Sequence, residues 1–326
     1  MKVFRGYQHP DIAQACALTI GNFDGVHRGH QAMLALLRSE AQQRGIPSCV
    51  LTFEPHPRDF FAATRGQPEL APARVGTLRD KLTELARCGV NQTVVLPFSE
   101  NLAAQTAQGF IEQVLQKGLR ARYVLVGDDF RFGARRAGDY ALLDAAGSTL
   151  GFDVARMNSY EVHGLRVSSS AVRDALGKGR MRDAARLLGH AYQISGHVVH
   201  GRKLGRDLGF RTLNLRFAHW KPAASGIFAV AVHGLGPIAL QGVANLGVRP
   251  SLNADDVNGG RVLLETHCLQ WPGNLGPEGA YGKIIRVELL HKLHDEYQYS
   301  GLDALKLGIQ KDCDDARAYF AAHQPP

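Results

Sequence analysis

From Ala17 onward the apolar positions come in short unbroken runs: ALTIG at 17–21, CVLTF at 49–53, TVVLP at 93–97, YVLV at 123–126 and FDVARM at 152–157. Between the runs, apolar residues recur three and four apart, as at Met33, Leu34, Leu37 and Ala41, with similar spacing near 77–88, 103–118 and 138–147. An apolar run without alternation is a strand buried on both faces, and the three-and-four spacing marks an amphipathic helix. Strands alternating with helices predict an α/β domain on a parallel sheet, with its ligand site beyond the carboxyl ends of the strands.

Two short helices are expected at about 170–177 and 181–188, and the pattern then changes at His190 to Ser195. Strand-like segments follow at 194–200, 212–215, 227–232, 238–244, 262–269 and 284–290 without long helices between them. Close spacing with Gly, Pro and Asn turns predicts a small antiparallel β-barrel or sandwich. A C-terminal helix over about 301–322 has Leu302, Leu305, Ile309, Ala316 and Phe320 spaced to dock on it. The stretches Asn253 to Gly260 and Trp271 to Gly279 read as loops.

Composition narrows the function classes. A chain of 326 residues fits two domains, and 45% hydrophobic with 21% charged residues excludes a disordered or coiled-coil chain. Arg5, His9, Pro10 and Asp11 interrupt the place where an export signal would need an apolar stretch, and no window is apolar enough for a membrane span. Five scattered cysteines without a CxxC pair point away from a disulfide framework or zinc site, and toward reduced thiols in a cytoplasmic protein. The net charge of +8 fits nucleic acid, an anionic membrane or phosphate ligands. Residues 117–186, with 13 basic and 8 acidic side chains, carry most of that excess, which favours a phosphate ligand held there.

In GNFDGVHRGH, His27 and His30 stand three apart where a glycine-rich loop enters a helix. Backbone N–H groups and the dipole at a helix start attract phosphate, and two imidazoles add donors toward a leaving pyrophosphate. Gly21, Gly25 and Gly29 allow the backbone to approach a ligand. The plain alternatives are two surface histidines, or a metal pair with Asp24 as its carboxylate.

HRGH fits the HxGH signature of the nucleotidyltransferases, a superfamily with a Rossmann-like parallel sheet. The longer GNFDGVHRGH resembles the adenylyltransferase module of prokaryotic bifunctional riboflavin kinase/FAD synthetases. TFEPHP at 52–57, GDDFRFG at 127–133 and VSSSAVR at 167–173 follow in that family's order. The resemblance implies transfer of AMP from ATP to the phosphate of FMN, giving FAD and pyrophosphate, with Mg2+. His27, His30 and Arg173 are the expected catalytic residues, with Ser168 and Ser169 at a phosphate-directed helix start. Asn22, Phe23 and Asp24 are expected near the nucleotide. Asp129 and Arg131 are placed to hold polar groups, and Phe130 and Phe132 to stack on a ring, against the alternative of core packing. Phe53, His56 and Pro57 are expected on the flavin side.

The later segments GHVVHGRKLGRDLGFRTLNL, GIFAVAV, GVANLGVRPS, LLETHCL and YGKIIRVELLHKLHDEYQY resemble the riboflavin kinase module of the same family. The resemblance assigns Thr212 and Asn214 to Mg2+ and phosphate, beside a glycine-rich basic loop containing Gly201, Lys203 and Gly205. It makes Glu265 the base that takes the riboflavin 5′-hydroxyl proton. Asn245 and Arg249 are nucleotide-loop contacts or turn residues.

Three departures from the family pattern stand out. The family's Pro before Thr is Arg211 and the next small residue is Leu213, His294 replaces an Arg before Asp-Glu, and the loop after Glu265 is altered. The expected layout is an adenylyltransferase domain at 1–188 and a kinase domain at 189–326. The substrates and products implied are riboflavin, FMN, FAD and ATP, with neither nucleic acid nor membrane as partner and self-association left open. Two alternatives are an adenylyltransferase with a weakened or regulatory barrel, and a flavin- or nucleic-acid-binding protein without turnover.

Overall fold

The computed structural model describes residues 1–162, 165–201, 209–217, 219, 221–248, 262–273, 275–276 and 278–323. Strands β1 (Lys2–Arg5), β2 (Cys16–Ile20), β3 (Ser48–Glu54), β4 (Gln92–Pro97), β5 (Ala121–Gly127) and β6 (Asp153–Met157) form one parallel sheet. Its order is β1-β4-β3-β2-β5-β6. Alternate residues of the same strands enter two cores. Leu18, Ile20, Cys49 and Leu51 lie in one, while Ala17 and Val50 join Leu34, Leu37 and Leu85 in the other. Helix α1 (Arg28–Gln43) supplies Leu34, Leu37 and Ala41, as the spacing predicts. The chain steps from β2 through β3 to β4 on one side and from β5 to β6 on the other. The reversal falls between β2 and β5, the place where open α/β sheets bind ligands.

Some local structure differs from expectation. Helix α2 (Pro57–Thr64) follows β3, started by His56 as N-cap and Pro57 at the first helical position. Helix α3 (Leu78–Arg87) is as expected, but the single helix expected at 103–118 is broken. Thr106 accepts the Gly109 N–H at 3.0 Å and so starts a new helix. The result is α4 (Glu100–Ala104), α5 (Ala107–Phe110) and a π-helical segment, Ile111–Gly118. Helix α6 (Tyr140–Leu150) precedes β6, and a small hairpin, β7 (Glu161–Val162) with β8 (Leu165–Arg166), follows it.

The chain divides into two compact units, residues 1–72 with 81–168, and residues 73–80 with 169–326. Helices α7 (Ser169–Gly177) and α8 (Met181–Leu188) thus fall in the second unit, although the change in strand spacing lies after them. Val172, Leu176, Met181 and Leu188 share a core with Tyr192, Ile194 and Val287, and Val75 joins it. Asp80 lies in the same unit. Its carboxylate accepts the Ser195 N–H at 3.0 Å and hydroxyl, and the Thr77 N–H at 3.0 Å and hydroxyl at 2.7 Å. Burial nonetheless raises this carboxyl above its ordinary value.

In the second unit β9 (Tyr192–Val199), β10 (Leu213–Arg216), β11 (Gly226–His233), β12 (Leu240–Val248), β13 (Val262–Cys268) and β14 (Ile284–His294) close into an antiparallel barrel. Leu215, Leu246, Leu264 and Phe228 fill its core. On the other face, Ala229 and Val243 pack with Cys313 and Ala316 of the C-terminal helix α9 (Leu302–Ala322). Among the described residues, no helix is long and apolar enough to cross a membrane.

Candidate active sites

The first site begins in the loop between β2 and α1. Phe23 (φ 49°), Gly25 (φ 81°) and Val26 (φ 39°) all have left-handed backbone, a conformation costly for the two larger residues and held by their burial. Phe23 is therefore core, and meets the site through its ring, 4.9 Å from that of His30. His27 is the N-cap of α1, its Nδ1 accepting the His30 backbone N–H at 3.3 Å. With Nδ1 an acceptor, the neutral ring carries its proton on Nε2. The His27 and His30 rings stack with centroids 3.7 Å apart and planes 15° apart. Gly29 makes this closeness possible, since a Cβ there would lie 3.3 Å from the His27 ring and 3.4 Å from the Val167 carbonyl oxygen. Gly21 lies similarly close to the Phe23 ring, and Asp24 is buried.

His30 Nδ1 is sealed from solvent and has no hydrogen-bond partner among the described residues. Burial pushes the His30 pKa well below its ordinary value, and the nearby His27 and Lys81 lower it further. Near neutral pH His30 is thus an uncharged N–H donor. Lys81, on α3 and within the first unit, donates to Thr52 Oγ1 at 3.3 Å, and Thr52 donates to the Asn22 carbonyl oxygen at 3.2 Å. The histidine loop is thereby tied to β3 and α3.

The loop after β5 lies beside the one after β2, because these strands are paired. Phe132 is buried against Phe110, so core packing accounts for it. Phe130 is only partly buried and stacks on Phe132 at 5.3 Å. Asp129 is exposed, with Arg166 3.9 Å away, and Arg131 pairs with Asp139 at 3.2 Å. The neighbouring Asp128 accepts from the Ser159 hydroxyl, which holds its carboxyl below the ordinary value, and Arg166 adds to this at 3.4 Å.

Beyond β3 and β4, Phe53, Phe60, Phe61 and Phe98 form an edge-to-face group. His56 is buried as the cap of α2, its Nδ1 accepting the Arg58 N–H at 3.1 Å. Ser168 belongs to the first unit, while Ser169 and Arg173 belong to the second. Arg173 Nε donates to the Ala73 carbonyl oxygen at 2.6 Å.

The second site is written in the register of the barrel. Asn214 on β10 lies directly opposite Glu265 on β13, and Glu265 directly opposite Asn245 on β12. Directly opposed residues share a face, so the three side chains form one row. The Oδ1 atoms of Asn214 and Asn245 are sealed from solvent without a hydrogen-bond partner among the described residues. Asn214 Nδ2 donates to the Thr212 carbonyl oxygen at 3.4 Å. Gly201 lies against the Asn214 amide, where a Cβ would come within 2.5–3.0 Å. Asn245 is an interior strand residue, not a turn residue. Lys203, Gly205 and Arg249 lie outside the described residues, as does Asn253 to Gly260.

The departures at Arg211, Leu213 and His294 leave this row intact. Arg211 is exposed, with its carbonyl accepting from His267 Nδ1 at 2.8 Å, and Leu213 points into the barrel core. His294 Nε2 meets Asp312 Oδ1 of α9 at 2.7 Å.

Comparison with known proteins finds a family match over each half of the chain. A FAD synthetase family model matches residues 9–171 and a riboflavin kinase model matches 188–320. The bifunctional riboflavin kinase/FMN adenylyltransferase of Escherichia coli is 44% identical over all of both chains. That of Haemophilus influenzae is 40% identical over 98% of this chain and 99% of its own. This chain belongs to the bifunctional riboflavin kinase/FMN adenylyltransferase family. A solved structure described as a macrolide-efflux protein from Streptococcus pneumoniae shares the fold, with TM-score 0.75 and 24% identity over 97% of this chain and 99% of that one.

Within this family frame, motif reading passes over Lys81, which sits in an ordinary amphipathic helix and carries no local signal. Thr52 and Asp128 lie inside the TFEPHP and GDDFRFG motifs but are not among the expected site residues.

Proposed function

We propose that this member of the family phosphorylates riboflavin to FMN and adenylylates FMN to FAD, each step at its own site. The stacked His27 and His30 at the start of α1 are the observation that carries the adenylyl half. An FMN phosphate oxygen attacks the α-phosphorus of ATP, and the bond from that phosphorus to pyrophosphate breaks. The nucleophile is already an anion, so placement and charge stabilisation suffice. His27 Nε2–H and the His30 imidazole donate to the phosphates at the helix start. Ser168 of the same unit joins the phosphate end, and the exposed side of Phe130 with the aromatic group around Phe98 takes the flavin.

In the barrel, Glu265 accepts the 5′-hydroxyl proton of riboflavin as that oxygen bonds to the γ-phosphorus of ATP and the bond from that phosphorus to ADP breaks. The buried Asn214 Oδ1 without a partner, beside Thr212, suits a hard cation. Thr212 and Asn214 would hold Mg2+, which when bound neutralises the substrate phosphates. The intact row across β10, β13 and β12 favours a working kinase over a barrel kept for regulation. As functional assignments, residues 1–188 serve adenylyl transfer and 189–326 phosphorylation. The substrates are riboflavin, FMN and ATP, with no nucleic acid or membrane involved. The five unpaired cysteines accord with action in the cytoplasm.

Incubation with riboflavin, ATP and Mg2+, with FMN and FAD separated over time, tests both halves. His30→Ala should stop FAD formation and spare FMN formation, and Glu265→Gln should do the reverse. FAD from supplied FMN but no product from riboflavin would remove the kinase half. No product from either flavin would remove both.

A further inference from the structure

Asn245 stands on the opposite side of Glu265 from Asn214, so the carboxylate is flanked by an amide on each neighbouring strand. Cβ atoms of directly opposed residues are about 4.5–5.5 Å apart, which makes the row roughly 10 Å long. Buried amide oxygens are nearly always hydrogen-bonded, because leaving one unmade forfeits its hydration without return. Here two such oxygens, Asn214 Oδ1 and Asn245 Oδ1, lie either side of a group that can only accept when ionised. The next residue of β12 on this face is Gly247, and a Cβ there would collide with the Glu296 carboxylate. The acceptor surface therefore continues past Asn245.

A line of acceptors is complementary to a line of donors. A polyol offers one hydroxyl donor per carbon, and its terminal hydroxyl is the one that must reach the base. We propose that Asn245 is a specificity-determining residue of the kinase site, whose Oδ1 accepts a hydrogen bond from a secondary hydroxyl of the ribityl chain. Glu265 takes the terminal hydroxyl and Asn214 serves the phosphate side. This rests on the kinase reading above and replaces a nucleotide contact for Asn245.

The test pairs a change in the protein with a change in the substrate. Full-length wild type, Asn245→Ala and Asn245→Asp are assayed with ATP and Mg2+ on riboflavin and on a flavin bearing a 5-hydroxypentyl chain. That analogue keeps the terminal hydroxyl and lacks the secondary ones. Asn245→Ala should lower kcat/KM for riboflavin about three- to tenfold and leave the analogue unchanged. Asn245→Asp, which keeps an acceptor, should retain more of the preference for riboflavin. An unchanged melting temperature and unchanged FAD formation from FMN check the fold of both variants. Equal losses on the two flavins in Asn245→Ala, with wild type active on both, would overturn the assignment alone. A wild type that phosphorylates neither flavin would overturn the kinase reading and the assignment together.

Discussion

The imidazoles of His27 and His30 lie face to face at 3.7 Å, and the first accepts the backbone N–H of the second. Two stacked rings cannot both be cations without strong repulsion, and burial already disfavours charge on His30. At most one of the two rings is charged, and the buried His30 is arranged to donate a hydrogen bond while neutral.

A pH dependence follows. The folded pKa of His30 lies below 6.5, so its neutral form persists as pH falls through that value. For FAD formation, kcat/KM for ATP should hold through pH 6.5 and fall only well below it. Lys81→Met removes a positive charge beside His30, so the acid limb should move up toward 6.5, and Lys81→Arg should leave it in place. An acid limb identical in wild type and Lys81→Met would show that Lys81 does not act on this group. The stability sign agrees. Between 6.5 and the lower folded value the unfolded chain binds a proton that the folded chain refuses, so stability declines with falling pH across that window and is constant above it.

Gly201→Ala places a methyl group on the Asn214 amide. FMN formation should fall at least about tenfold, because Asn214 must leave the row, while FAD formation from FMN stays at the wild-type rate. Initial rates of the two reactions measured on one preparation check this.

Asp80→Ala removes the acceptor shared by Thr77 and Ser195 and leaves their donors buried. A loss of about 2–4 kcal/mol is expected, seen as an earlier urea transition of the second unit. A transition unmoved by the substitution would mean that water replaces the carboxylate at no cost.

Phe132 and Phe130 separate packing from binding. Phe132→Ala empties a buried site and should cost about 3–5 kcal/mol. Phe130→Ala should cost less than half of that while raising KM for FMN severalfold, measured by denaturation and by steady-state kinetics.

Both sites were legible in the sequence wherever their chemistry is local. His27 and His30 are set three apart at a helix start, and α1 needs only its own capping and apolar spacing to place them. The period of the apolar runs likewise determines a covered parallel sheet followed by closely spaced antiparallel strands, because side-chain direction is fixed by secondary structure. The partnership of Asn214, Glu265 and Asn245 was not legible, since it depends on strand register, and register is set only when the barrel closes around Leu215, Leu246 and Leu264. Lys81 beneath the histidine loop, and Asp80 bonded to Ser195 across 115 positions, are also products of packing. The sequence by itself determined which groups can donate, accept or carry charge. Only the tertiary structure decided which of them meet, because a contact between distant residues exists only when the cores that hold both are filled.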